Sequence, residues 1–159
     1  DTNKTHGDFD KLALDLIRLQ ALPENFSLYL RASSQWSNKN LDSSEGFGIG
    51  GSTGVRAYPA SEGYGNVGWV TQTELRYGLN ENVSSYIFYD VGGSTANQFS
   101  VGENPIRELS GAGVGFRYAQ KNWSFDMSAA WRVNGGKPED ENMNDDIPRL
   151  WANLSYRFQ

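Results

Sequence analysis

Cysteine is absent from the 159-residue chain, which excludes a disulfide scaffold and thiolate metal sites. Histidine occurs once, as His6, in a polar leader ahead of the first patterned segment. A Ser/His/Asp nucleophilic centre would have to borrow its base from that leader, so no catalytic residues are assigned. Long apolar runs are missing too. The densest stretch, Leu12 to Leu22, is broken by Asp15, Arg18 and Gln20, well short of the roughly 18 apolar residues that a membrane helix needs. No lysine follows the glycine cluster from Gly48 to Gly54, which sets it apart from a phosphate-binding loop. Neither an initiator methionine nor a signal-peptide core is found at Asp1, and a processed product or a fragment is expected.

Positive charge is in deficit, with 14 Lys and Arg against 19 Asp and Glu and a net charge of −5, so nucleic acid is not an expected partner. Mean hydropathy is negative, as in a soluble protein. A membrane β-barrel gives the same average, because it alternates lipid-facing apolar residues with lumen-facing polar ones. The 18 glycines and 13% aromatic residues favour the barrel.

What the chain does have is period two. About seven segments alternate apolar and polar residues. From Trp123 to Val133, the residues Trp123, Phe125, Met127, Ala129, Trp131 and Val133 share one face, opposite Ser124, Asp126, Ser128, Ala130 and Arg132. Leu150, Ala152, Leu154, Tyr156 and Phe158 oppose Trp151, Asn153, Ser155 and Arg157 in the last segment. Gly68 to Leu79 places Gln72, Glu74 and Arg76 inward, and Phe26 to Trp36 places Tyr29, Arg31, Ser33 and Gln35 inward. Between Leu109 and Tyr118 the inward set is Gly111, Gly113, Gly115 and Arg117, leaving room for something in the lumen. Val83 to Val91 is a shorter strand. In Phe9 to Leu22 the alternation slips at Arg18, where a bulge or a change of register is expected.

Connections alternate in length. Pro23-Glu24-Asn25, Asn80-Glu81-Asn82 and Gln120-Lys121-Asn122 read as tight turns, whereas Ser37 to Val67, Gly92 to Glu108 and Asn134 to Ile147 are long and polar. Short turns at one end and long loops at the other is the outer-membrane barrel arrangement, with the long loops extracellular. A soluble β-sandwich competes, but strands of roughly 10 to 12 residues suit a tilted membrane crossing better than the five or six usual in soluble sheets. An odd strand count cannot close a bacterial single-chain barrel, and an open edge in lipid costs several kcal/mol per unpaired group. The fold class expected is therefore all-β, the C-terminal portion of a larger antiparallel transmembrane barrel whose other strands precede Asp1.

Two motifs stand out. Gly50-Gly51-Ser52-Thr53-Gly54 leads into Val55-Arg56-Ala57-Tyr58-Pro59, followed by Glu62-Gly63 and Gly65; further on comes Phe88-Tyr89-Asp90-Val91-Gly92. Asp90 shares parity with Ser84, Tyr86 and Phe88, so Ile87, Tyr89 and Val91 face lipid and Asp90 the lumen, the side on which a carboxylate is tolerated. The loop of about 30 residues is long enough to fold into the pore. A shielded Arg56–Asp90 pair would lose about 3 to 5 kcal/mol when broken, and a solvated one about 0 to 1 kcal/mol.

With these motifs and the ending from Pro148 to Phe158, the whole chain resembles the C-terminal barrel part of two-partner secretion transporters. This is the haemolysin-activator and filamentous-haemagglutinin-transporter type, whose superfamily also holds the outer-membrane protein insertases. The resemblance implies a barrel of about 16 strands in the bacterial outer membrane. It implies no cofactor or metal, and a loop motif Val-Arg-Gly-Tyr/Phe whose arginine meets the aspartate of Phe-x-Asp-x-Gly on the wall. By position this assigns the functional loop to Gly50, Gly51, Val55, Arg56, Ala57 and Tyr58, and the wall partner to Phe88, Asp90 and Gly92. Tyr58, Phe88 and Tyr86 are expected to pack around the pair. Ala57 stands where the motif has glycine, and positive φ is less available to alanine.

Tyr156 and Phe158 match the aromatic ending that the barrel assembly machinery reads, although Gln159 follows. The function implied is passage of an unfolded secreted partner protein through the outer membrane, with lipid and the assembly machinery as further partners. Arg31, Gln72, Glu74, Arg76, Arg117, Asp126, Arg132 and Arg157 would make a hydrophilic wall. An insertase of the same superfamily would use the same motifs, and a passive porin would need no internal loop motif. The acidic run from Glu139 to Asp146 lacks the spacing and glycine of a dedicated calcium loop and reads as a solvated extracellular segment.

Overall fold

The computed structural model describes residues 10–38, 45–96, 106–139 and 147–158; His6, Gln159 and most of the acidic run lie outside them. Seven strands form: β1 (Lys11–Ala21), β2 (Phe26–Ser37), β3 (Val67–Gly78), β4 (Val83–Thr95), β5 (Ile106–Gln120), β6 (Trp123–Asn134) and β7 (Arg149–Tyr156). They pair antiparallel in chain order as one sheet with β1 and β7 at its edges. This is the expected portion of an antiparallel barrel.

The tight turns form where the sequence places them. Glu24, Asn25 and Lys121 take positive φ of 59°, 64° and 51°, and the Asn80 side chain accepts the Asn82 N–H at 2.9 Å, an Asx-type turn. Because each turn is short, each register is fixed, and register decides which side chains face the lumen.

Two departures concern register. β1 and β2 pair without a slip from Lys11↔Ser37 to Ala21↔Ser27, so the bulge expected at Arg18 does not exist. Unbroken alternation instead puts Arg18 and Gln20 on the outer face, where they hydrogen-bond each other at 3.1 Å. Both lie within three residues of the end of β1. The irregularity lies in β5, between Ser110 and Gly111.

The outer face carries exposed Trp69, Ile87, Val114, Trp131 and Leu150. Aromatic pairs cluster at its tight-turn end: Phe26 with Tyr77 at 4.8 Å and Trp123 with Tyr156 at 4.7 Å. These pairs form an aromatic belt along that edge of the outer face. The inner face of β3 to β5 is covered by the β2–β3 connection. The buried apolar cluster is this contact: Ile49, Val55, Ala57 and Tyr58 from the connection against Val70, Tyr86, Phe88, Leu109 and Ala130 from the strands.

Candidate functional site: a loop tip clamped inside the barrel

The β2–β3 connection folds back on itself before it reaches the wall. Phe47 and Gly65 pair as an antiparallel bridge, and Gly50 bridges Val55. Val55 N–H donates to Ile49 O at 2.7 Å and Gly51 N–H to Tyr58 O at 3.0 Å. Gly51 sits at φ +95°, and a Cβ on Gly50 would lie 2.1 Å from the Pro59 carbonyl oxygen. The glycine pair is thus a requirement of this tight crossing of chain on chain. The Gln72 amide donates to Gly54 O at 2.8 Å and steadies the descending arm against β3.

The crossing presents Arg56 to the inner wall. Its Nε and Nη2 donate to Asp90 Oδ2 and Oδ1, both at 2.8 Å, in a fork that matches the carboxylate. Its backbone N–H adds a third bond to Asp90 at 3.1 Å. Nη1 reaches Glu74 Oε1 at 2.7 Å, and the guanidinium carbon lies 3.7 Å from the centre of the Phe88 ring. Arg56 is 5% exposed, Glu74 4% and Asp90 0%, so the pair falls in the shielded regime. Burial disfavours the guanidinium charge, but the hydrogen bonds and negative charges of Asp90 and Glu74 outweigh it, and the Arg56 pKa lies above the ordinary arginine value. Arg76 completes the charge balance through Nε to Glu74 Oε2 at 2.8 Å. Two guanidinium groups thus face two carboxylates.

The strand register explains why the clamp fits. Phe88, Tyr86 and Asp90 lie opposite Gly113, Gly115 and Gly111 of β5. A Cβ on Gly113 would come 2.4 Å from the Phe88 ring, one on Gly115 2.1 Å from Tyr86, and one on Gly111 2.5 Å from the Ala57 methyl. The glycine row is the space occupied by two rings and the loop. Ala57 itself has no positive φ, so alanine at the glycine position of the motif carries no backbone strain; Gly111 accommodates its methyl group.

Of the sequence-assigned residues, Gly50, Gly51, Val55, Arg56 and Ala57 meet Phe88, Asp90 and Gly92 at one place. A Cβ on Gly92 would stand 3.3 Å from Ile49 Cβ, directly under the loop. Tyr58 and Tyr86 lie in the same buried cluster as Phe88, and their hydroxyl groups bond elsewhere. Tyr58 Oη lies 3.0 and 2.9 Å from the carbonyl oxygens of Asn134 and Gly136, toward the β6–β7 connection. Tyr86 donates to Asp126 at 2.8 Å and stacks under Arg117. Phe158 is 86% exposed and meets Tyr156 edge-on at 4.8 Å, away from the clamp.

Two members of the site escaped the sequence reading. Glu74 was assigned only to the hydrophilic wall, yet it is the second carboxylate of the clamp. Its inward parity, one strand from Asp90, was the available signal. Trp151 on β7 donates Nε1–H to the Arg56 carbonyl at 2.7 Å; only its inward parity hinted at this. Below the tip lies a polar cavity of about 470 Å³ whose wall includes Arg31, Gln72, Glu74, Arg76, Arg117 and Asp126.

The family model of haemolysin secretion/activation proteins ShlB/FhaC/HecB matches residues 1–118. Relatives include the heme/hemopexin transporter protein HuxB of Haemophilus influenzae strain 86-028NP, 29% identical over 150 residues, covering 87% of this chain and 25% of the relative. HuxB of H. influenzae strain ATCC 51907 / DSM 11121 / KW20 / Rd is 28% identical over 148 residues, covering 87% of this chain and 25% of the relative. Among solved structures, CdiB from Acinetobacter baumannii shares the fold with a TM-score of 0.61 at 20% identity, over 91% of this chain and 25% of that one. The chain therefore spans about a quarter of the length of these relatives. With the family match covering most of its residues, the chain belongs to the ShlB/FhaC/HecB family of haemolysin secretion/activation proteins.

Proposed function

We propose that this chain is the C-terminal part of an outer-membrane pore that passes an unfolded secreted partner protein to the cell surface, with the clamped loop as an internal element of that pore. The observation that carries this reading is the buried triad of Arg56, Glu74 and Asp90, which holds a surface connection inside the barrel. Burying these charges is costly unless they are paired, and a passive pore requires no internal loop motif. On this reading the long connections face outside, the tight turns face the periplasm, and the lipid-facing belt contacts outer-membrane lipid. Gly50, Gly51, Val55, Arg56, Ala57 and Tyr58 form the functional loop, with Phe88, Asp90 and Gly92 as its wall. The ending with Tyr156 and Phe158 serves the barrel assembly machinery, and the remaining strands and any periplasmic domains belong to the rest of the protein.

Deletion of residues 52–65 from the full-length protein tests the reading. Secretion of the partner should stop while the barrel still assembles. Unchanged secretion would overturn the role given to the loop, and a protein that secretes no partner and only conducts more after the deletion would be a passive porin.

A further inference from the structure

The returning arm of the loop carries a third buried carboxylate, one that the Arg56 clamp does not use. Glu62 is 1% exposed and sits six residues beyond Arg56 in the same loop. Its Oε1 accepts Arg107 Nε at 2.9 Å and Nη2 at 2.5 Å, and its Oε2 accepts the Glu139 backbone N–H at 2.9 Å. A carboxylate so buried is held only by donors placed for it, and these come from two other parts of the chain. Arg107 opens β5 and spends its remaining donors on the β6–β7 connection, at Gly135 O (2.5 Å) and Lys137 O (3.2 Å). The Tyr58 hydroxyl reaches the last residue of β6 at Asn134 O and the same connection at Gly136 O. Gly135, at φ +114°, would place a Cβ 2.7 Å from the Tyr58 hydroxyl. Only a residue without a side chain lets the connection close onto the tyrosine.

We propose that Glu62, Arg107 and Tyr58 are positioning residues that fasten the in-folded loop to residues 134–139, at the end of β6 and the start of the connection that follows, so that the two move as one body. Arg56 fixes how deep the loop tip sits; Glu62 fixes what the outer part of the loop moves with. A loop pinned at its tip alone could swing about Arg56. A loop pinned at both places leaves the lumen only when residues 134–139 shift with it. This fastening holds whether or not the pore carries a protein, and its test does not involve secretion.

The experiment uses the full-length protein in lipid vesicles, in a cysteine-free background, with nitroxide pairs at Ser61, an exposed residue of the returning arm, and Asn82 and, separately, at Lys137 and Asn82. Each pair should give one narrow distance peak in the parent. Glu62→Gln removes the charge and turns one acceptor into a donor facing the Glu139 N–H. Arg107→Lys keeps the charge and loses the fork. Both should abolish the narrow peak in both pairs together. Tyr58→Phe, which removes one hydroxyl and is the variant least able to disturb folding, should broaden both pairs to a smaller extent. Heat-modifiable electrophoretic mobility checks that each barrel is folded. Broadening of one pair without the other, or of neither in folded barrels, would overturn the coupling.

Discussion

β1 and β4 share the same alternation, yet they differ in nearly every other respect. Every residue of β1 is exposed, whereas β4 buries Tyr86, Phe88, Asp90, Gly92, Gly93 and Ser94. β1 is the edge strand of this chain's sheet, with a neighbour on one side only, whereas β4 lies between two strands and under the β2–β3 connection. The sheet alone therefore supplies half a core, and the loop supplies the other half: four of the nine buried apolar residues belong to it. Charge follows the same division. On β4 the carboxylate of Asp90 is fully enclosed, whereas Asp15 on β1 meets Arg31 at 3.2 Å with half its side chain in the open.

That contrast can be broken in graded steps. The largest effect is expected from Asp90→Ala, which strands the Arg56 guanidinium among buried groups. The seated loop should weaken by about 3 to 5 kcal/mol, read as faster amide exchange at Val55 and Tyr58, which donate to Ile49 O and Val55 O. Next comes Gly113→Leu, which forces a side chain into the space of the Phe88 ring. Overpacking of this kind costs about 1 to 3 kcal/mol and should lower the temperature at which the heat-modifiable band is lost. A smaller loss, about 1 kcal/mol, is expected for Trp151→Phe, which takes the N–H from the Arg56 carbonyl; exchange should rise around Arg56 and leave Phe47 and Gly65 protected. Asp15→Asn should leave loop exchange nearly unchanged, because Asp15 is half open to solvent and its partner Arg31 meets the loop through a single hydrogen bond, Nη1 to Thr53 O at 3.3 Å. A changed exchange rate there would show that the loop seat depends on the uncovered wall.

The alternation made the strands, the tight turns and the inward parity of Asp90 legible in the sequence, because period two and turn chemistry are local. It misled at Arg18, since alternation is a mean tendency and polar side chains are tolerated near a strand end. Ala57 looked like a departure from the loop motif because glycine suggests positive φ; the backbone there needs none, and the room for its methyl is made more than fifty residues away by Gly111. The inward glycines of β5 announced empty space without naming its occupants. Glu74, Trp151 and the Glu62–Arg107 pair were hidden for a common reason: each acts through a partner distant in sequence, and parity says which way a side chain points without saying what it meets.

The central claim, that Arg56 and Asp90 act through one contact, is tested most directly by a double-mutant cycle on partner secretion in the full-length protein. Arg56→Ala and Asp90→Ala should each impair secretion, and the double variant should be no worse than the more impaired single. Losses that add independently would contradict the clamp.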